Sequence, residues 1–302
     1  MTRRIAIIDD VLPNALLLKG YVKRLGDVEG LTFTDPREAL LRCNETAPDL
    51  VLLDYHMPLM SGAEFLEAFR KSERCKDVPV IMVTGEEKKD VLYDSLFTGA
   101  NDFLRKPVDS IELMARARNL LELRARQLEL AKANEQLYYL ATTDSLTGLK
   151  NRRHFLECLA VEIERSKRYS IPCSVAIIDA DRFKVINDNY GHDVGDQVLR
   201  ELSKILLNEL RSVDVVGRLG GEEFAVQFTE TSKHNALEVC ERILSRIRLA
   251  KVLAGLQEVR ITASIGLSEV RTPRDSLDAV LKRADEALFR AKRSGRDRCE
   301  AA

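Results

Sequence analysis

Asp9-Asp10, Asp54, Thr84 and Lys106-Pro107 each close or follow a short apolar run in the first third of the chain. If those runs are parallel strands, the residues converge at one sheet edge. Three carboxylates gathered there repel one another unless a hard cation sits among them, and an all-oxygen set suits Mg²⁺. A metal beside a carboxylate neutralises an incoming phosphoryl group, so Asp54 can attack it. Lys106 adds a fixed positive charge, and Thr84 a hydroxyl for the new phosphate. One Asp at a strand end is commonly a cap or turn residue; four strand ends carrying such groups together point to chemistry.

A second set lies in the C-terminal half. Arg218-Leu-Gly-Gly-Glu-Glu-Phe224 puts two glycines and two acids, Glu222 and Glu223, between strand-like runs. Gly-Gly is a hairpin signal and lets backbone approach a phosphate closely. The run Cys173–Ile178 ends in Asp179-Ala180-Asp181, so a strand delivers Asp179 beside the hairpin's Glu222 as a metal pair. Metal, triphosphate and a nearby acid are what phosphoryl or nucleotidyl transfer needs. Asn187 and Asp196 offer an amide and a carboxylate. A carboxylate accepts from guanine's ring N–H and exocyclic amine, a donor pair that adenine lacks. Lys184 and Lys292 are phosphate ligands in waiting, and Arg296, just past the helix-stopping Gly295, can reach the same phosphates.

These groups need scaffolds. Over residues 3–108, apolar runs at Ile5–Ile8, Val28–Phe33, Leu50–Leu53, Val78–Val83 and Asp102–Leu104 alternate with helical patterns at Asn14–Leu25, Pro36–Asn44 and Ala63–Arg70. That alternation predicts a doubly wound, five-stranded parallel sheet. Residues 109–143 read as one helix without Gly or Pro, about 50 Å long at ~1.5 Å per residue. Leu123, Leu130 and Leu137 recur every seven residues, with Leu120, Gln127, Asn134 and Ala141 on the alternate seam. Polar residues at such positions set register, and the pattern predicts a parallel coiled-coil homodimer. A weaker seam, Ala117, Leu121, Leu128 and Ala131, lies beside it and would let the pair change register. Residues 144–302 form a second α/β domain, with strands expected at Cys173–Asp179, Val213–Arg218, Phe224–Phe228 and a half-exposed Val259–Val270. Its helices are expected at Arg152–Tyr169, Val194–Leu210, Lys233–Leu249 and Leu277–Arg293.

Residues 3–122 resemble the response-regulator receiver family through Asp9-Asp10, Asp54, Thr84, Phe103 and Lys106-Pro107. The resemblance implies Asp54 as phosphoacceptor for an upstream histidine kinase. It implies Mg²⁺ on Asp10, Asp54 and the His56 carbonyl, with Asp9 helping through water, and a switch set of Thr84, Phe103 and Lys106. The Lys106–Pro107 peptide is expected to be cis.

Residues 144–298 resemble the GGDEF family of diguanylate cyclases, a nucleotidyl-cyclase-like fold. The resemblance rests on Asp144-Ser-Leu-Thr-Gly-Leu-Lys-Asn-Arg-Arg153, Asp179-Ala-Asp-Arg-Phe-Lys-Val-Ile-Asn-Asp188, Gly191-His192 with Gly195-Asp196, and Gly220-Gly-Glu-Glu-Phe224. It implies condensation of two GTP into cyclic di-GMP and two pyrophosphates. Asp179, the Ala180 carbonyl and Glu222 would bind Mg²⁺, with Glu222 and Glu223 catalytic. Asn187 and Asp196 would read guanine, while His192, Lys184, Lys292 and Arg296 complete the substrate site. Arg211-Ser-Val-Asp214 matches the family's RxxD product-inhibition spacing, with Arg242 as a further partner for cyclic di-GMP. The alternative of a catalytically silent sensor of that dinucleotide predicts damaged metal or guanine residues, and these are intact.

Bulk properties narrow the field. A 302-residue chain with 45% hydrophobic and 31% charged residues and a net charge of −1 suits a two-domain globular protein. The balance provides no general attraction to nucleic acid or anionic membrane, and no basic recognition helix is evident. No apolar run nears the ~20 residues of a membrane span. The N-terminal apolar stretch, broken by Asp9-Asp10, is too short and acidic for a signal peptide. A cytoplasmic location is the expectation, with the six scattered cysteines as reduced thiols.

Overall fold

Leu50-Val51-Leu52-Leu53 is buried on both faces, which only a strand inside a parallel sheet with helices on both sides can provide. In the computed structural model, which describes residues 2–85, 99–255, 257–271 and 275–302, this run is β3 (Leu50–Asp54). It lies at the centre of a sheet ordered β2-β1-β3-β4-β5. Its partners are β1 (Arg3–Ile8), β2 (Val28–Phe33), β4 (Val80–Thr84) and β5 (Asp102–Arg105). Every pairing is parallel. Helices α2 (Pro36–Glu45) and α3 (Gly62–Arg70) cover one face. The other is covered by α1 (Leu12–Lys23) and the first turns of α4 (Ser110–Thr142). Local signals start the helices: Asp35 caps α2 ahead of Pro36, and Ser61 with Glu64 forms a reciprocal capping box on α3.

The chain divides into two units, Met1–Asn134 and Glu135–Ala302, with the division inside α4. That helix is continuous for 33 residues. Leu123, Leu130 and Leu137 are 53%, 63% and 63% exposed, so the main leucine seam is unburied within one chain. The second seam is corrected: Ala117 and Leu121 are buried in the core of the first unit and cannot serve a partner helix.

The second unit carries a six-stranded sheet ordered β13-β12-β7-β9-β8-β6. These strands are β6 (Lys150–Asn151), β7 (Ser174–Ala180), β8 (Val215–Gly220), β9 (Glu223–Phe228), β12 (Ala263–Glu269) and β13 (Cys299–Ala301). One face carries α6 (Phe183–Tyr190), α7 (His192–Glu209) and α8 (Lys233–Leu249). The other carries α5 (Arg152–Tyr169) and α9 (Leu277–Arg293). The expected single strand Val259–Val270 is two strands. β11 (Gln257–Arg260) pairs with β10 (Lys251–Ala254) in a separate hairpin, and β12 enters the main sheet. Nor is β12 half-exposed. Its polar Ser264 and Ser268 are buried because each has a hydrogen-bond partner, Asp181 and Arg283. The pattern between Asp181 and Gly191 folds as α6, which periodicity did not reveal. All six cysteines are free thiols. No helix among the described residues is long and apolar enough to cross a membrane.

Candidate functional sites

The first site is built at the carboxyl edge of the parallel sheet. β1 delivers Asp9 and Asp10, β3 ends on Asp54, β4 ends on Thr84, and Lys106 follows β5. Ligand oxygens of Asp9, Asp10 and Asp54 lie within 4.8 Å of one another, the one such triple among the described residues. Lys106 Nζ stands 3.1 Å from Asp9 Oδ2 and 3.0 Å from Asp54 Oδ1. Asp9 is fully buried, and its Oδ1 accepts from Val11 N at 2.9 Å and Asn14 Nδ2 at 3.3 Å. Burial pushes the Asp54 carboxyl above its ordinary range; the Lys106 hydrogen bond opposes this, and the charges of Asp9 and Asp10 add to it. Three carboxylates against one ammonium leave surplus negative charge on hard oxygen donors, a donor set that fits a divalent cation. Thr84 is buried at its strand end. Phe103, in β5, pairs with Met82 across the sheet and packs on the α2–α3 face. The His56 ring meets Tyr55 edge-on at 4.9 Å. The Lys106–Pro107 peptide is cis.

The second site forms where β7, the β8–β9 hairpin and α9 meet. Gly220 and Gly221 take positive φ, 142° and 52°, at the turn, where side chains with a Cβ are strained. The turn backbone is pinned from two directions. Ala180 N donates to the Glu222 carbonyl at 3.2 Å. Arg218 donates to the Gly221 carbonyl from Nη2 at 2.7 Å, and to both oxygens of Asp144 from Nη1 at 3.0 and 3.2 Å. Arg218 thereby ties the hairpin to the motif that opens the domain.

Asp179, the penultimate residue of β7, has its carboxylate 2.7 Å from Lys292 Nζ. Burial raises its carboxyl above the ordinary range; Lys292 opposes that shift, and Glu222 and Asp181 add to it. Glu223, paired with Asp179 across β7 and β9, is also raised, by burial first and then by Asp179. Buried Asp179 and the half-buried Glu222 and Glu223, with Lys292 the one ammonium in contact among the described residues, form a second donor set that fits a divalent cation.

Asn187 Oδ1 is buried without a hydrogen-bond partner. A Cβ on Gly195 would lie 1.9 Å from it, so glycine there leaves the Asn187 amide its place. Asp196 follows on α7 and is half-buried. His192, at the head of α7, and Lys184, on α6, are exposed. Arg296 takes φ 67° just after α9, and its side chain enters no ion pair among the described residues.

Sequence reasoning missed Asp181. It is buried and accepts from Thr262 Oγ1 at 2.9 Å, Ser264 Oγ at 2.7 Å and Asp297 N at 3.1 Å. It thus moors the loop carrying Arg296 to the end of β7. Those partners are 81 or more residues away in sequence, so no local spacing could reveal them.

At the far end of α7, both Asp214 oxygens accept backbone N–H groups, from Arg211 at 3.0 Å and Thr229 at 3.1 Å. The Arg211 guanidinium enters no ion pair among the described residues, whereas Arg242 is bound to Glu209 at 2.6 Å.

Comparison with known proteins agrees with this geometry. Residues 141–298 match the family described as diguanylate cyclase, GGDEF domain, and residues 5–118 the response regulator receiver domain. The chain is 35% identical over 298 residues to response regulator PleD of Caulobacter vibrioides, covering 97% of this chain and 64% of that protein. It is 36% identical over 184 residues to diguanylate cyclase A of Treponema denticola, covering 60% and 50%. It therefore spans less than two thirds of the length of these relatives. Among solved structures, the coiled coil and GGDEF domain of DgcB from Caulobacter crescentus, in complex with c-di-GMP, aligns with TM-score 0.59 at 31% identity. The alignment covers 62% of this chain and all of that one. Diguanylate cyclase SiaD of Pseudomonas aeruginosa, in complex with its activator SiaC, aligns with TM-score 0.53 at 38% identity, covering 63% and 74%. The chain belongs to the GGDEF family of diguanylate cyclases and carries a response-regulator receiver domain ahead of its GGDEF domain.

Proposed function

We propose that this chain is a phosphorylation-regulated diguanylate cyclase that condenses two GTP into cyclic di-GMP and two pyrophosphates, with product feedback inhibition. The observation that carries the reading is the buried, unpartnered Asn187 Oδ1, packed against Gly195, the residue before Asp196. An amide oxygen joined by the Asp196 carboxylate would suit a base edge with paired donors, and guanine has one in N1–H and N2–H₂. Lys184, Lys292, Arg296 and His192 hold the triphosphate. Asp179, the Ala180 carbonyl and Glu222 would hold Mg²⁺, which would supply charge neutralisation at the α-phosphate. Glu223, its carboxyl raised by burial, takes the 3′-hydroxyl proton as that oxygen attacks the α-phosphorus and pyrophosphate departs.

At the receiver, Asp54 accepts a phosphoryl group from the phosphohistidine of an upstream kinase: a P–N bond breaks and an acyl phosphate forms. Mg²⁺ there is assigned to Asp10, Asp54 and the His56 carbonyl, with Asp9 acting through water. Lys106 and Thr84 contact the phosphoryl oxygens, and Phe103 follows the rearrangement. Each GGDEF domain binds one GTP, so turnover needs two face to face. The exposed Leu123, Leu130 and Leu137 supply the homodimer seam and raise the effective concentration of one domain for the other. Cyclic di-GMP returns to Arg211, Asp214 and Arg242. The test incubates purified full-length protein with GTP and Mg²⁺, with and without acetyl phosphate. Cyclic di-GMP that increases with the donor is expected; no cyclic dinucleotide under either condition would refute the reading.

A further inference from the structure

Two arginines of α8 converge on one carboxylate at the end of α7. Arg242 donates from Nε to Glu209 Oε2 at 2.6 Å and from Nη2 to the Glu209 carbonyl at 2.8 Å. Arg246 Nε donates to Glu209 Oε1 at 3.0 Å. The Glu209 side chain is 14% exposed, while those of Arg242 and Arg246 are 51% and 61% exposed. The carboxylate is thus inside and the remaining guanidinium edges face water. Two residues on, the Arg211 guanidinium has no ion pair among the described residues, and Asp214 is held by backbone N–H groups. Three arginines and two acids therefore belong to this helix end and the segments beside it. The Arg242 and Arg246 hydrogen bonds outweigh burial and hold the Glu209 carboxyl below the ordinary range, so it stays charged at neutral pH.

A carboxylate and a phosphodiester ask the same of a guanidinium: forked N–H donors around a single negative charge. We propose that Glu209 is a built-in competitor of the feedback ligand, holding Arg242 and Arg246 in place of a phosphodiester and so setting the product concentration at which inhibition begins. The proposal rests on the feedback reading of Arg211 and Asp214, and adds Arg246 to that site. A dinucleotide carrying two phosphodiesters must share or displace this carboxylate to engage both arginines. Its affinity is accordingly lower than three free guanidiniums would give.

The test is calorimetric titration of the full chain with cyclic di-GMP. Glu209→Gln, which keeps the side chain's size and removes its charge, is expected to bind roughly fivefold more tightly, with a steeper dependence on salt. Arg246→Ala, at a mostly exposed position, weakens binding, and adding it to Glu209→Gln cancels most of the gain. Unchanged or weaker binding in Glu209→Gln overturns the proposal. If that variant does not fold, unchanged binding in Arg246→Ala overturns it instead. Arg211→Ala separates the two levels. Undiminished binding there removes the feedback site itself, whereas lost binding there without a gain in Glu209→Gln removes only the competitor.

Discussion

The receiver and GGDEF domains each set a lysine against acids at strand ends, but they balance the charge differently. At the receiver, Lys106 bridges Asp9 and Asp54, acids from two adjacent parallel strands. At the GGDEF site, Lys292 pairs with Asp179 and no other acid among the described residues, and Glu223 stays raised by burial and by Asp179 although the charge of Lys292 opposes this. A parallel sheet delivers several side chains to one edge without further help. The antiparallel β7–β9 pair and its hairpin do not, so distant residues position that site: Arg218 on Asp144, and Asp181 on Thr262, Ser264 and Asp297. One site is made by topology, the other by tethers.

Substituting the central acid of each site separates output from input. Asp179→Asn should lower cyclic di-GMP formation on the order of a thousandfold, read as product from GTP. Asp54→Asn should abolish the mass increase of one phosphoryl group on incubation with acetyl phosphate. Loss of GTP turnover in Asp54→Asn without any donor would contradict the division of labour.

Gly195→Ala probes the crevice. A Cβ 1.9 Å from Asn187 Oδ1 must displace that amide or part α6 from α7, and GTP affinity should fall about a hundredfold in equilibrium binding. An unchanged affinity would show that the base does not enter there.

Arg218→Ala tests the tethers. Both the Gly221 carbonyl and Asp144 lose their guanidinium partner, which at this partly buried position should cost about 2 kcal/mol in denaturant unfolding of the GGDEF transition. No comparable loss is expected at the receiver transition, and coincident losses would deny the distinction between the two sites.

The smallest effects are in pH. Burial pushes the Asp144 carboxyl up, but hydrogen bonds from Thr147 and Arg218 more than offset it, and its folded pKa is below the ordinary value. The stability it contributes is present above pH ~4 and lost as pH falls through the folded pKa. Asp54 has the opposite sign. Its folded pKa is raised, so its charge costs stability at neutral pH, and that cost is relieved as pH falls through the folded pKa. In chelator-treated protein at pH 7, Asp54→Asn should therefore raise the receiver's unfolding midpoint, with the gain fading toward pH 4. A lowered midpoint would mean that Lys106 more than compensates the acid.

Much of this was legible in the sequence wherever strand ends do the positioning. Asp9, Asp10, Asp54, Thr84 and Lys106 each adjoin an apolar run, and convergence follows from parallel order alone. The lengths of α5, α8 and α9 were readable from their periodicity. Other features were not. The eight residues of α6 are too few to show a helical period. The second seam on α4 looked equivalent to the first because a one-dimensional pattern does not say which stripe the first unit consumes. Ala117 and Leu121 are spent in its core, while Leu123, Leu130 and Leu137 are left outside. Asp181 lay in plain view inside a motif, yet its work is done on residues far along the chain.

Asn151 has a consequence beyond starting a helix. Its amide oxygen accepts from His154 N at 3.0 Å, the first turn of α5. Its amide nitrogen donates to the Ala141 carbonyl at 2.8 Å, in the last turn of α4, where Arg153 adds a second donor at 2.7 Å. One planar group of atoms thus finishes one helix and begins the next. A carboxamide cannot twist about its C–N bond without losing conjugation, so it behaves as a rigid coupling pin. Turning the last turn of α4 strains the bond to Ala141 and, through the same side chain, the bond to His154, so the start of α5 is biased to follow.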